Sequence, residues 1–201
     1  MNAHTKRAAM IRLAKKRGVL RPRDLAARGI SRAVLKQLRE DGEINQLAAG
    51  LYALPDHAIT ENHSLAEAAT RVPTGTVCLL SALRLHGLTT QAPFQVWLAI
   101  DSHAWRPTAT EPPLRVVHMT GDALRRGIEV HRIEGVAVNI FSAAKTVADC
   151  FKFRNKIGLD VCIEALRDFK RRKDFNHDEL WRYAKVCRVA NVMRPYLEAI
   201  Q

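Results

Sequence analysis

The chain has 201 residues, of which 47% are hydrophobic and 26% are charged, a balance typical of globular proteins and not of disordered ones. No apolar run reaches the length of about 18 residues that a membrane helix needs. No secretory signal opens the sequence, so we predict a cytoplasmic protein. The four cysteines are scattered without a CxxC pair, which favours reduced thiols and gives no ligand spacing for zinc.

The formal net charge of +12 is distributed unevenly along the chain. Residues 1–55 contain 12 Lys and Arg against 4 Asp and Glu, a net +8, whereas residues 56–201 contain 20 against 16, a net +4. A concentrated positive field indicates a polyanionic partner, because neutralising phosphates releases counterions and dominates such binding. A solvated basic surface without a partner would carry the same charge, so charge alone leaves both interpretations open.

The basic N-terminal segment is predicted to form three short helices separated by glycines. The first runs from about residue 4 to residue 17. The second begins at Pro22, since proline is accepted at the first helical position, and ends at Gly29. Ser31 is predicted to cap the third helix, which ends at Gly42. The tight link between the second and third helices is the spacing of a helix–turn–helix.

The outward face of the third helix is predicted to carry several hydrogen-bond donors. Helices of this kind enter the major groove, where Arg and Lys read guanine and Gln can read adenine. The alternative is that these positions only solubilise a surface helix. We assign Lys15 and Arg23 to phosphate contacts. The full set of predicted DNA-binding residues is Lys15, Arg21, Arg23, Ser31, Arg32, Lys36, Gln37 and Arg39.

A β-hairpin, the wing, is predicted from two alternating runs at residues 43–47 and 51–55, on either side of the turn Ala48-Ala49-Gly50. Together with GVLRPRDL from Gly18 and GISR from Gly29, the string GLYALP from Gly50 resembles the N-terminal domain of AbiEi-type antitoxins of type IV toxin–antitoxin systems. Family members commonly carry an arginine just before the wing glycine. The neutral Ala48-Ala49 pair here therefore leaves more of the DNA binding to the helix.

The remainder of the chain is predicted to contain helices, then strands, then helices. Residues 94–100 are strongly apolar with bulky strand formers, and Glu134-Gly135 predicts a hairpin link. This order favours an α+β fold, in which a mixed α/β domain with an antiparallel sheet and C-terminal helices follows the winged helix–turn–helix. The predicted elements are helices at 64–71 and 77–86, strands at 94–100, 114–119, 128–133 and 136–140, helices at 142–153, 159–169 and 176–186, and a last helix with Pro195 near its start.

We predict a DNA-binding domain over residues 1–56 and a second domain over residues 57–201. In the second domain LLSALRLHGLT from Leu79 and FSAAKTVADCFK from Phe141 resemble the AbiEi C-terminal domain. The resemblance implies a transcriptional autorepressor that binds inverted repeats in its own promoter. It also implies an antitoxin that counters a co-encoded AbiEii-type nucleotidyltransferase toxin in phage abortive infection, with or without binding that toxin directly.

No catalytic residue, metal site or cofactor is predicted. A metal-dependent nuclease needs closely spaced carboxylates with a lysine, and Asp101, Glu129 and Glu134 lack an acidic-x-Lys pair. Lys145 and Asp149, four apart on one helix, are interpreted as a surface ion pair. The alternative functions are a DNA-acting nuclease and a stand-alone regulator without a toxin partner.

A second basic surface is predicted on the helix that begins at residue 142 and just beyond it. It would face flanking DNA or an acidic toxin, whereas the plain alternative is a solvated helix end. Its residues are Lys145, Lys152, Arg154 and Lys156.

Overall fold

The computed structural model describes residues 3–57, 60–107 and 112–200. The chain divides into two compact units. The first comprises Met1–Pro73 together with the later segment Arg132–Val138, and the second comprises Thr74–His131 and Asn139–Gln201. The first unit thus extends beyond residue 56, where the sequence analysis places the domain boundary, and includes residues from far along the chain.

The first unit contains a winged helix followed by one further helix. Its elements are α1 (Ala3–Arg17), β1 (Val19–Leu20), α2 (Pro22–Ala26), α3 (Arg32–Glu40), β2 (Asn45–Ala48), β3 (Leu51–Ala53) and α4 (His63–Arg71). β3 lies between β1 and β2 and pairs antiparallel with both. The predicted helix–turn–helix and wing are therefore both present.

The core of the winged helix is a single hydrophobic cluster to which each of its three helices contributes. Met10 of α1, Leu25 of α2 and Leu38 of α3 are all almost fully buried in it. Ile30 fills the space between α2 and α3. The turn between these two helices passes through Gly29, whose φ of 66° lies in the left-handed region that glycine adopts without strain.

The described residues of the second unit form most of a five-stranded sheet and seven helices. Its elements are β4 (Thr76–Val77), α5 (Leu79–His86), β5 (Val96–Asp101), β6 (Leu114–Met119), α6 (Gly121–Arg125), β7 (Ile128–Ile133), β8 (Val136–Phe141), α7 (Ala143–Lys152), α8 (Arg154–Ile157), α9 (Leu159–Lys170), α10 (His177–Val186) and α11 (Ala190–Ala199). The tip of the β7–β8 hairpin belongs to the first unit. The α+β class is confirmed.

The strand order of the larger sheet is β6-β5-β4-β8-β7. β4 pairs antiparallel with β5, in line with the predicted antiparallel sheet, but parallel with β8, and β5 pairs parallel with β6. The parallel pairs were not predicted, because Val77 was assigned to a helix. That helix begins only at Leu79, and Val77 lies in the short central strand.

The predicted hairpin link at Glu134-Gly135 is present. Both residues have positive φ, 48° and 78°, which suits the tight turn between two twisted strands. Two helix caps are also formed: the Ser142 hydroxyl accepts a hydrogen bond from the amide of Lys145, and the Asn176 side chain accepts one from the amide of Glu179.

Helix α7 lies at the centre of the second unit and packs against α5, α9 and α10. Every residue from 144 to 151 is buried. Pro195 was predicted near the start of the last helix but lies inside α11, at its sixth position. In the described part of the chain, no helix combines the length and the apolar character that crossing a membrane requires.

Candidate nucleic-acid interface

Helix α3 presents its polar residues outward because its apolar residues are held in the core. Leu35 and Leu38 are 4% and 1% exposed, and they fix the rotation of the helix. The four predicted donors on the opposite side are Arg32, Lys36, Gln37 and Arg39, all of which are exposed. Arg32, Lys36 and Arg39 line one depression, whereas Gln37 is exposed outside that lining.

A concave depression of about 310 Å³ lies beside this surface. It brings together the start of α2, the outward face of α3 and the wing. Its lining residues are Pro22, Arg32, Leu35, Lys36, Arg39, Gly50 and Tyr52. Three of these are cations, and no carboxylate is among the residues named, so the depression suits an anionic ligand.

Ser31 lies at the N-cap of α3, with extended backbone at φ −75° and ψ 156°. The predicted position is thus correct, but its hydroxyl makes no capping hydrogen bond. The exposed hydroxyl lies at the positive end of the helix, where the first amide groups have no partners within the helix. Such an arrangement favours a phosphate.

Arg39 connects α3 to the wing. One of its terminal nitrogens donates a hydrogen bond of 2.8 Å to Oε1 of Gln46 on β2. The Gln46 amide in turn donates, at 3.4 Å, to the carbonyl of Ala48. Sequence reasoning missed Gln46, because nothing in a single sequence pairs it with a residue seven positions earlier. This contact holds Arg39 between the helix and the hairpin.

Arg21 is largely engaged within the protein. Its guanidinium donates to both carboxylate oxygens of Asp24, at 2.7 and 3.1 Å, and Arg17 lies 3.6 Å from the same carboxylate. Burial by itself raises the pKa of Asp24, but the hydrogen bonds from Arg21 and the neighbouring positive charges outweigh it, so the pKa is lowered. In contrast, Lys15 and Arg23 are exposed.

The predicted second basic surface is wrong for Lys145, because this side chain is 0% exposed. Its ammonium forms a short ion pair with Asp149, also 0% exposed, and lies 4.0 Å from the centre of the Phe141 ring. The interpretation of Lys145 and Asp149 as a surface pair is wrong for the same reason. Lys152 and Lys156 are exposed, whereas Arg154 is half-buried.

The buried ion pair has a third member. The Cys187 thiol donates to Oδ1 of Asp149 at 3.1 Å. Burial raises the pKa of this thiol to about 12, so it stays protonated and available as a donor. Burial likewise raises the pKa of the Asp149 carboxyl, and Lys145 offsets part of that effect. The group is enclosed in the core and has no access to a ligand.

The carboxylates that were considered for a nuclease each have a local partner. Asp101 accepts from the amide of His103 at 2.9 Å, and Glu129 lies 3.1 Å from Nε2 of His131. Glu134 anchors the hairpin tip, as described next. Within the described ranges, no three His, Cys, Asp or Glu side chains are placed to hold a metal ion.

The Glu134 carboxylate is the centre of a polar cluster in the first unit. It accepts hydrogen bonds of 2.8 Å from both the amide and the hydroxyl of Thr60, and it lies 2.7 Å from Nδ1 of His63. Burial raises its pKa, but these contacts outweigh the burial, and the pKa is lowered. The cluster fixes segment Arg132–Val138 to the region that precedes α4.

The comparisons with known proteins agree with this geometry. Residues 8–55 match a family model described as "Transcriptional regulator, AbiEi antitoxin". Among solved structures, the RV2827C protein from Mycobacterium tuberculosis is similar with a TM-score of 0.53 and 14% identity, over 98% of this chain and 82% of that one. At this identity the likeness shows the fold alone. The comparison with curated protein sequences gave no match. The segment that carries the helix–turn–helix and the wing is thus similar to the AbiEi antitoxin family of transcriptional regulators.

Proposed function

We propose that the protein binds duplex DNA through α3, represses its own promoter, and serves as the antitoxin of a type IV toxin–antitoxin system in the cytoplasm. The concave basic depression between α3 and the wing is the observation that carries the DNA-binding part. The family of the N-terminal domain supports the role as a regulator. The operator in this proposal consists of inverted repeats, and no cofactor takes part.

In this proposal the DNA contacts fall into two classes. Arg32 and Gln37 are exposed on the outward face of α3, and we assign them to base edges in the major groove. Ser31 and the amide end of α3 meet a phosphate. The remaining residues of the set are Lys15 and Arg23, assigned to phosphates, Arg21, whose guanidinium Asp24 engages, and Lys36 and Arg39, which approach the groove wall beside the wing.

Replacing Arg32 or Gln37 by alanine is expected to weaken binding to the operator by about 1–3 kcal/mol, a factor of roughly 5–150, because each removes a base contact. Binding to unrelated DNA should change much less. Fluorescence anisotropy measures both, with duplexes from the region upstream of the protein's own reading frame and with scrambled duplexes. If either variant kept the full preference for the upstream DNA, that residue would make no base contact and would only solubilise the helix surface.

The residues assigned to DNA phosphates should behave differently in the same titrations. Lys15→Ala and Arg23→Ala are expected to weaken all duplexes alike and to reduce the slope of log K against log salt by about one. Lys185→Ala removes an equal charge from an exposed position on α10 and is the matched control, with an unchanged slope. If all three variants gave the same slope as the wild type, Lys15 and Arg23 would lie outside the interface.

The antitoxin part has a separate test. We expect expression of the neighbouring reading frame alone to arrest growth, and co-expression of this protein to restore it. Because we assign neutralisation to the second domain, Arg32→Ala should lose repression of a promoter reporter and still restore growth. Lys152→Glu and Lys156→Glu reverse the charge of the exposed lysines of the second basic surface, and they test whether restoring growth requires that surface. Normal growth with the neighbouring frame expressed alone would contradict the toxin partnership and leave a stand-alone regulator.

A further inference from the structure

Strand β7 is an edge of the five-stranded sheet and carries exposed aliphatic side chains. Ile128 is 39% exposed and Val130 68%. Edge strands usually avoid pairing with other chains by carrying lysine, proline or a bulge. β7, Ile128–Ile133, contains no lysine or proline; its charged side chains are Glu129 and Arg132, and the aliphatic Ile128 and Val130 are exposed beside them.

The outward backbone groups of β7 have no hydrogen-bond partner among the residues that the structure describes. The two-residue turn Glu134-Gly135 sets the register with β8, and the amide of Ser142 donates to the carbonyl of Gly127 at 2.7 Å. In an antiparallel pair the backbone amide and carbonyl groups of successive residues point alternately toward the partner strand and away from it. The odd-numbered residues therefore face β8, and the amide and carbonyl groups of Ile128 and Val130 point away from the sheet.

The centre of β7, from Glu129 to His131, is complementary to itself. Consider a second copy that pairs antiparallel with β7 about a two-fold axis lying between the two Val130 residues. Val130 then faces Val130 of the second copy, and the outward amide and carbonyl groups of each point toward the other strand. Glu129 then faces His131 of the second copy, and His131 faces Glu129 of the second copy. These are the closely spaced, non-hydrogen-bonded positions, where opposite charges on one face interact favourably.

We propose that β7 is the site at which two copies of this chain associate, joining their sheets through about six backbone hydrogen bonds. The pairing covers the exposed face of Val130 and places acidic and basic side chains opposite each other. A second copy satisfies both conditions with a single strand sequence, and the association needs no other protein. A closed two-fold dimer is also the commonest form of homo-oligomer.

The association has a consequence for DNA recognition that depends on the function proposed above. Two copies related by a two-fold axis match an inverted repeat, since operator symmetry mirrors protein symmetry. The dimer itself is tested without DNA, so its failure and the failure of DNA binding are distinguishable.

The test is the molar mass in solution, measured by sedimentation equilibrium across micromolar concentrations. The wild type is expected to rise from 22.6 kDa towards twice that mass. Val130→Lys places two like charges at the axis and should leave a monomer. An unfolded variant is recognised by circular dichroism, and the same variant should still bind one half-site. A wild type that stays monomeric, or a folded Val130→Lys variant that still dimerises, overturns the proposal.

Two cysteine variants test the register. Residues on the axis have Cα atoms about 5.5 Å apart, within the range of a disulfide. Val130→Cys should therefore give a covalent dimer under mild oxidation. Ile128→Cys is the matched control on the same face, and it should not cross-link because its counterpart lies several residues away. The four native cysteines are buried and do not interfere. Equal cross-linking of both variants would refute the register.

Discussion

The variant Lys145→Met is expected to lower the free energy of unfolding by about 3–5 kcal/mol, because it removes one partner of a fully buried ion pair. The Asp149 carboxyl would then remain in the core with the Cys187 thiol as its hydrogen-bond donor. An uncompensated buried charge is among the costliest defects in a protein. Urea denaturation measures the change, and the Tm should fall by roughly 6–20 °C.

A double variant separates the charge from the packing. Lys145→Met combined with Asp149→Leu removes both charges, and it should recover most of the loss or exceed the wild type. Arg126→Met breaks an exposed pair with Asp122, whose side chains are 59% and 63% exposed, and should cost less than about 1 kcal/mol. If Lys145→Met cost no more than Arg126→Met, the ion pair would not be buried in solution.

The variant Gly135→Ala is expected to disrupt the first unit, at a cost of about 2–4 kcal/mol. An added methyl group would overlap the carbonyl oxygen of Arg17, which is backbone and has no rotamer to change. The φ of 78° adds strain for any residue with a side chain. Thermal unfolding measures the loss, and operator affinity shows whether the disturbance reaches α3.

Gly42→Ala is the matched control for this steric effect. Gly42 has a similar φ of 72°, but an added methyl group meets nothing within 4 Å. This variant should lower the free energy of unfolding only by the cost of a left-handed backbone at a residue with a side chain, about 1–2 kcal/mol. Equal losses in the two variants would show that the hairpin tip does not press on the Arg17 carbonyl.

The sequence predicted the DNA-binding half well because its signals are local. Pro22, Gly29 and Gly42 predicted helix boundaries through their own backbone preferences. In the structure α2 begins at Pro22 and ends at Ala26, α3 ends at Glu40, and the two glycines lie in the turns that follow. The apolar stripe of α3 predicted which side chains face outward. The hydrogen bond from Arg39 to Gln46 was missed because it depends on tertiary geometry. The pair of Arg21 and Asp24 is three residues apart, a local spacing, and was not predicted.

The burial of Lys145 shows the limit of spacing arguments. A lysine and an aspartate four residues apart on a helix look the same whether the helix is exposed or enclosed. The spacing itself was misleading, because Lys145, Asp149 and Lys152 recur at the i, i+4 and i+7 positions that form one polar face of an exposed helix. The burial of α7 comes instead from the helices packed around it, and charges enclosed in this way must pair with each other.

The parallel strand pairs were missed for a different reason. β4 has two residues, too few for any periodic pattern, yet it occupies the middle of the sheet. Its pairing with β8 joins residues that lie far apart in the chain, Val77 and Ile140. Local propensity carries no information about such a partner.

The hairpin segment Arg132–Val138 also determines when the N-terminal unit can mature on the ribosome. Its contacts with Arg17, Thr60 and His63 require a segment made long after residue 73. At a synthesis rate of about 5–20 residues per second, the nascent winged helix would wait roughly 3–13 seconds for this segment. During that interval its Gly18 turn and the residues before α4 lack the strand tip that covers them. The nascent DNA-binding unit thus completes its folding only after much of the following domain has been translated.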